Sequence, residues 1–131
     1  MKKVLALILV LSFAIICLSS CKASFKGEWV FDENGAVFNF GNGGKLSVTL
    51  TLLGETYDLG EGEYTEGKGE LTITNFVYPD FDKIADETVR ANASAFIKGF
   101  IAKFGTCTYV IEKNVMTLTA SDGSTAVFEK K

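Results

Sequence analysis

Lys45-Leu46-Ser47-Val48-Thr49-Leu50-Thr51-Leu52-Leu53 is the stretch that decides the fold. Leu46, Val48, Leu50 and Leu52 alternate with Ser47, Thr49 and Thr51. A period of two with threonine on the second face predicts a half-buried β-strand. Gly41-Asn42-Gly43-Gly44 turns the chain before it, and Gly54 follows it. Working outward, the same signals recur. Strands are predicted over 27–32, 36–40, 55–59, 62–66, 70–76, 106–112, 115–120 and 125–129, with Gly60 breaking the weaker pair. One strand every 8 to 12 residues or so, separated by glycine turns, is the pattern of a sandwich or barrel.

One segment changes period. After Pro79, residues 80–104 place Ile84, Val89, Ala93, Phe96, Ile97, Phe100, Ile101 and Phe104 mostly at helical spacing, and Gly105 ends the run. This predicts an amphipathic helix with Asp82 capping its first turn and Asp86 and Glu87 near its positive end. Several strand faces need cover, so the helix is expected to pack on the sheet.

The N-terminus has a different character. Lys2 and Lys3 precede an apolar run from Val4 to Ile16, then Cys17-Leu18-Ser19-Ser20-Cys21. Basic start, short apolar core and small residues make a secretory signal, too short for a span needing roughly 20 apolar residues. Leu18-Ser19-Ser20-Cys21 resembles the bacterial lipobox. That resemblance implies a signal peptide at 1–20, cleavage before Cys21 and attachment of diacylglycerol and palmitate-type acyl chains to that cysteine. Residues 21–26 then read as a lipidated N-terminus and short tether, and 27–131 as one folded domain. Removing 1–20 from the 131 residues leaves 111, enough for a core without metal or disulfide staples. Without Lys2 and Lys3 the basic count falls from 13 to 11 against 16 acidic residues, a formal net of −5. Such a domain repels phosphate backbones, so no nucleic-acid partner is expected, and attachment to a membrane would come from the acyl chains.

The chain contains no histidine. Triads built on histidine, histidine general bases and His-rich metal sites are thereby excluded. With Cys17 cleaved and Cys21 acylated, only Cys107 remains as a thiol, in the alternation Cys107, Tyr109, Ile111 of a buried strand face. Gly41-Asn42-Gly43-Gly44-Lys45-Leu46 lacks the spacing and the hydroxyl residue of a phosphate loop, and a strand follows it. Asp32-Glu33-Asn34-Gly35 lacks the further ligands of a calcium loop. Glu61, Glu63, Glu66 and Glu70 crowd one hairpin and read as a solvated charge face protecting a sheet edge. No catalytic residue, metal site or cofactor is expected.

Gly27-Glu28-Trp29 opens the first strand, and the C-terminus runs through Tyr109-Val110-Ile111, Met116-Thr117-Leu118, Asp122-Gly123 and Ala126-Val127-Phe128-Glu129-Lys130. This arrangement resembles small bacterial lipocalin-like lipoproteins of the calycin type. The resemblance implies a mainly β, antiparallel, approximately eight-stranded barrel. Trp29 would sit in its base, with Gly27 and Lys130 as signature residues and the lysine stem covering the indole. Typical lipocalins place the main helix after eight strands; here it is inserted before the last three.

The inward candidates Trp29, Phe31, Phe38, Phe40, Leu46, Val48, Leu50, Leu71, Ile73, Tyr109, Ile111, Met116, Leu118 and Phe128 are mostly large, and an eight-stranded barrel encloses room for side chains or one small ligand. Two main readings follow. The chain is expected to be a non-enzymatic, membrane-anchored lipoprotein that holds a small apolar ligand between barrel and helix, in a pocket formed by Phe38, Phe40, Val48, Leu50, Phe96 and Phe100. Alternatively, it is a cell-envelope structural or protein-interaction module with a filled core. An enzyme using only carboxylates, tyrosine or lysine finds no support in the spacing. Lys22 is not the aspartate that commonly retains lipoproteins in the inner membrane, so by resemblance the outer membrane is expected in a bacterium that has two.

Overall fold

The computed structural model describes residues 24–131. The expected signal peptide, Cys21 and the first tether residues lie outside the described residues. Eight strands alternate in direction: β1 (Gly27–Phe31), β2 (Val37–Phe40), β3 (Lys45–Leu52), β4 (Glu55–Gly67), β5 (Glu70–Val77), β6 (Thr106–Glu112), β7 (Val115–Thr119) and β8 (Thr125–Lys130). Each pairs antiparallel with its sequence neighbours, and β1 also pairs with β8, closing a barrel. Among the described residues one α-helix, α1 (Glu87–Phe104), lies between β5 and β6. The barrel and the insertion of the helix before the last three strands both match the expectation, and the architecture is consistent with a lipocalin-like fold.

Alternation sets the core. Along β3, Leu46, Val48 and Leu50 are buried while Ser47 and Thr49 are half-exposed. The inward set adds Trp29, Phe38, Phe40, Leu71, Met116, Leu118 and Phe128, each no more than 1% exposed. Of the fourteen inward candidates, thirteen are buried and Tyr109 is half-buried.

Three details differ from the sequence reading. Gly60 does not break a strand, because β4 runs unbroken for 13 residues. Its register against β3 shifts between Val48↔Gly60 and Thr49↔Asp58, leaving Leu59 as the extra residue of a β-bulge. Gly60, at φ +132°, takes up the distortion, and a Cβ there would come within 2.5 Å of the Phe76 ring. The helix begins later than expected. Asp80 caps a 3-10 turn (Phe81–Lys83), and Asp86, not Asp82, caps α1, its carboxylate accepting from Thr88 N at 2.9 Å and Val89 N at 3.0 Å. Periodicity ran on through the turn because Ile84 packs against the same core as the helix.

Finally, three of the four hairpin glutamates guard no edge. β4 is paired on both sides from Glu61 to Glu63, and Glu70 pairs across to both β4 and β6, so these carboxylates stand on the outer wall of a closed sheet, whereas Glu66 lies beyond the reach of β3 with β5 as its one partner strand. On that wall Glu63 accepts from Asn75 Nδ2 and lies 3.6 Å from Lys45, and the hydrogen bond, then the ammonium, hold its carboxyl below its usual value.

The capping assignment predicts that Asp86→Ala lowers stability by about 1 kcal/mol, the usual cost of losing an N-cap. Asp82→Ala should leave it within about 0.5 kcal/mol, as for an ordinary surface change. Urea denaturation of both variants checks this; equal losses would place the cap elsewhere.

Candidate functional site

Strand direction gives the barrel two different ends. The connections β2–β3, β4–β5 and β6–β7 and both described chain termini lie at one end, called here the base. The connections β1–β2, β3–β4 and β7–β8 lie at the other, together with α1.

The base is built around Trp29, fully buried. Its Nε1–H donates to Phe25 O at 2.8 Å. Lys130 Nζ stands 4.7 Å from the indole centroid and donates to Ser24 O at 2.9 Å and to Lys26 O. The ammonium therefore meets a π-face and two carbonyls, while burial pulls its pKa below the ordinary lysine value. Gly27 makes this possible: a Cβ there would sit 2.6 Å from Lys130 Nζ, and its φ of +121° suits glycine alone. The three signature residues thus form one contact, with Gly27 leaving the space that Lys130 occupies over Trp29.

Phe25 was expected in the tether and is instead part of the core, 6% exposed. Its ring packs 4.8 Å from Phe40, 5.7 Å from Tyr64 and 4.8 Å from Tyr109, closing the base like a stopper. Tyr64 Oη donates to Gly41 O at 2.8 Å and Tyr109 Oη to Glu66 at 2.5 Å. Burial and the Glu66 hydrogen bond push the Tyr109 phenol up to about 12. The folded domain thus extends N-terminal to residue 27. Lys-Ala-Ser-Phe-Lys carries no periodicity, so only an unpaired aromatic beside a short tether could have signalled the stopper.

At the opposite end α1 acts as a lid. Val89, Ala93, Ile97, Phe100 and Phe104 are its buried face. Phe100 lies 4.8 Å from Phe38, 5.8 Å from Phe31 and 6.0 Å from Phe128. These spacings are those of aromatic rings in direct edge or offset contact. The six expected pocket residues consequently divide. Phe38, Phe40, Val48 and Leu50 are buried in the barrel interior, packed into the continuous core. Phe96 and Phe100 also line an open groove of about 340 Å³ shared with Phe31, Phe104 and the β7–β8 turn.

Cys107 is buried on β6, as expected, and burial pushes its thiol up to about 11. Among the described residues no group of three or more acidic or cysteine side chains is placed to hold a metal ion. No protein-family model matches the chain, and no curated protein matches it.

Two outcomes follow. Phe25→Ala should lower stability by about 3 kcal/mol, the range for a buried aromatic, and should open the base. Trp29 is the sole tryptophan, so acrylamide quenching of its emission reports the opening directly; unchanged quenching would contradict the stopper. Cys107, identified by peptide mapping, should alkylate at pH 8 far more slowly than a free thiol. The folded thiol pKa, about 11 against the ordinary 9.0, lies above its unfolded value. Its contribution to stability is therefore complete below about pH 9 and lost as pH rises toward 11. Iodoacetamide rates and thermal melts across that window test the sign.

Proposed function

We propose that the chain is a non-enzymatic, lipocalin-like lipoprotein of a bacterial cell envelope, anchored through acyl chains on Cys21 and acting through its outer surface. The observation that carries this reading is the packed interior, with Phe38, Phe100 and Phe128 in mutual contact beneath the lid, Phe31 against the last two, and Phe25 closing the base. Side chains already make the contacts that an apolar guest would need. Function then falls to the wall and the rim. Four large apolar side chains are exposed there among the described residues, Val110 and Val115 on β6 and β7 and, most exposed of all, Leu53 at 92% on the β3–β4 tip and Val77 at 69% near the lid end of β5. Leu53 holds φ +53° with its side chain in water. A leucine gains nothing from that position in the isolated domain.

The groove of about 340 Å³ beside Phe96 and Phe100 favours a second reading, a small apolar ligand held against the lid instead of inside the barrel.

A photo-crosslinker at position 53 of the anchored protein in intact cells distinguishes them. The interaction reading expects a discrete protein adduct there, and none from position 68 at the base. No adduct at 53, together with a small apolar molecule retained by the detergent-free protein in native mass spectrometry and lost in Phe96→Asp, would transfer the assignment to the groove.

A further inference from the structure

We infer that the barrel stands on its base against an anionic lipid headgroup layer, with the helix lid and the β3–β4 tip directed away from the bilayer. The inference rests on the anchored reading above and adds an orientation to it. Its first ground is the point at which the chain leaves the fold. Phe25 is locked in the core, its carbonyl held by Trp29 and the Ser24 carbonyl by Lys130. Residue 24 is therefore fixed on the base. Three peptide steps separate it from Cys21, and three extended residues reach about 10 Å. The headgroup zone is itself roughly 5–7 Å deep on each side of the hydrocarbon. An acylated Cys21 at that boundary would bring the base, and no other part of the barrel, up to the headgroups.

The second ground is charge placement. Among the described residues, the connections and termini at the base carry Lys26, Lys68, Lys113 and Lys131 and no aspartate or glutamate. Lys68 and Lys113 occupy the hairpin tips themselves, at φ +55°, exposed to solvent. The lid end reverses this balance, with Asp32, Glu33, Asp80, Asp82, Glu87 and Asp122 outnumbering its cations. The strand ends around the base add Lys45 and Lys130 and the carboxylates of Glu28, Glu63, Glu66, Glu70, Glu112 and Glu129, with Glu63 beside Lys45 and Glu28 beside Lys131, so the base as a whole is close to neutral while its tips are basic and the lid end is net acidic. A lysine near an anionic bilayer contributes about 1 kcal/mol, within a screening length of about 8 Å. Eight extended residues such as β3, tilted as in small barrels, set the lid on the order of 20 Å above the base. The lid's acidic groups would lie beyond two screening lengths, whereas turning the molecule over would press them onto the anionic surface. Tether and charge select the same orientation.

The test uses the mature acylated protein in vesicles of phosphatidylethanolamine with phosphatidylglycerol and with headgroup-spin-labelled lipid. Single fluorophores are attached at Asn114→Cys on the base and at Ala102→Cys on the lid, both in a Cys107→Ala background. Quenching several-fold stronger at 114 than at 102 supports the orientation, and its decline in Lys68→Glu/Lys113→Glu supports the lysine contribution. Equal quenching, or stronger quenching at 102, overturns the orientation. Mass spectrometry of the N-terminal peptide separates the two levels. An unacylated Cys21 overturns the anchored reading and the inference with it, while an acylated Cys21 with reversed quenching overturns the inference alone.

Discussion

The barrel is closed by a short seam. β1 and β8 share only the pairs Trp29↔Lys130, Val30↔Glu129 and Phe31↔Phe128, where β3 and β4 share a ladder along the whole length of β3. So short a seam needs side chains to hold it, and the largest inward residue of the chain sits on it. Trp29 binds the incoming chain through Phe25 O on one side and takes Lys130 across its ring on the other. Lys131 N then donates to Glu28 O, tying the last residue to the first strand. The Trp29 contact therefore does three things at once. It closes the sheet, joins the two ends of the chain and seats the stopper. Without it β1 and β8 would become two free edges, each a row of unpaired backbone groups.

The opposite end is solved by different physics. No strand can cover the top of a barrel, so the chain inserts a helix with one apolar stripe, Val89, Ala93, Ile97, Phe100 and Phe104, over the open rim. Phe100 reaches down to Phe38 and Phe128, so the lid and the wall share one core instead of two. Closure at both ends gives a barrel this small one continuous core, in which most large apolar side chains of the described residues find a partner.

What the sequence disclosed tracks how local each constraint is. Leu46 to Leu52 state their own strand, because alternation is written within the segment and the barrel only had to accept it. The helix stripe is equally local. Gly60 misled because a glycine between two polar half-strands looks like a break, and the ring it makes room for, Phe76 on β5, lies 16 positions away. Asp82 and Asp86 are both plausible caps by residue type, and backbone geometry at Ile84 alone chooses between them. Phe25 was illegible for a similar reason, being a single aromatic with no repeating neighbours, buried only because the folded base has a hole of its size. Of the candidate site, the Gly27–Trp29–Lys130 group was readable as a pattern, but its cause, Lys130 lying in the space a Cβ at Gly27 would fill, is a contact across 103 positions of chain.

Net charge shows the same limit. A formal −5 for the expected mature chain describes a scalar and suggests a domain indifferent to anionic surfaces. The up-and-down topology turns that scalar into a vector. Alternate connections of such a barrel fall at alternate ends, so lysines at 68 and 113, far apart in sequence, become neighbours on one rim, while the long β5–β6 connection delivers most of its carboxylates to the other. A barrel filled with phenylalanine rings leaves its wall and its two rims as the surfaces free to act. Because the rims differ in charge, in apolar exposure and in their distance from the chain's point of entry into the fold, they are not equivalent for any partner that meets the molecule from one side.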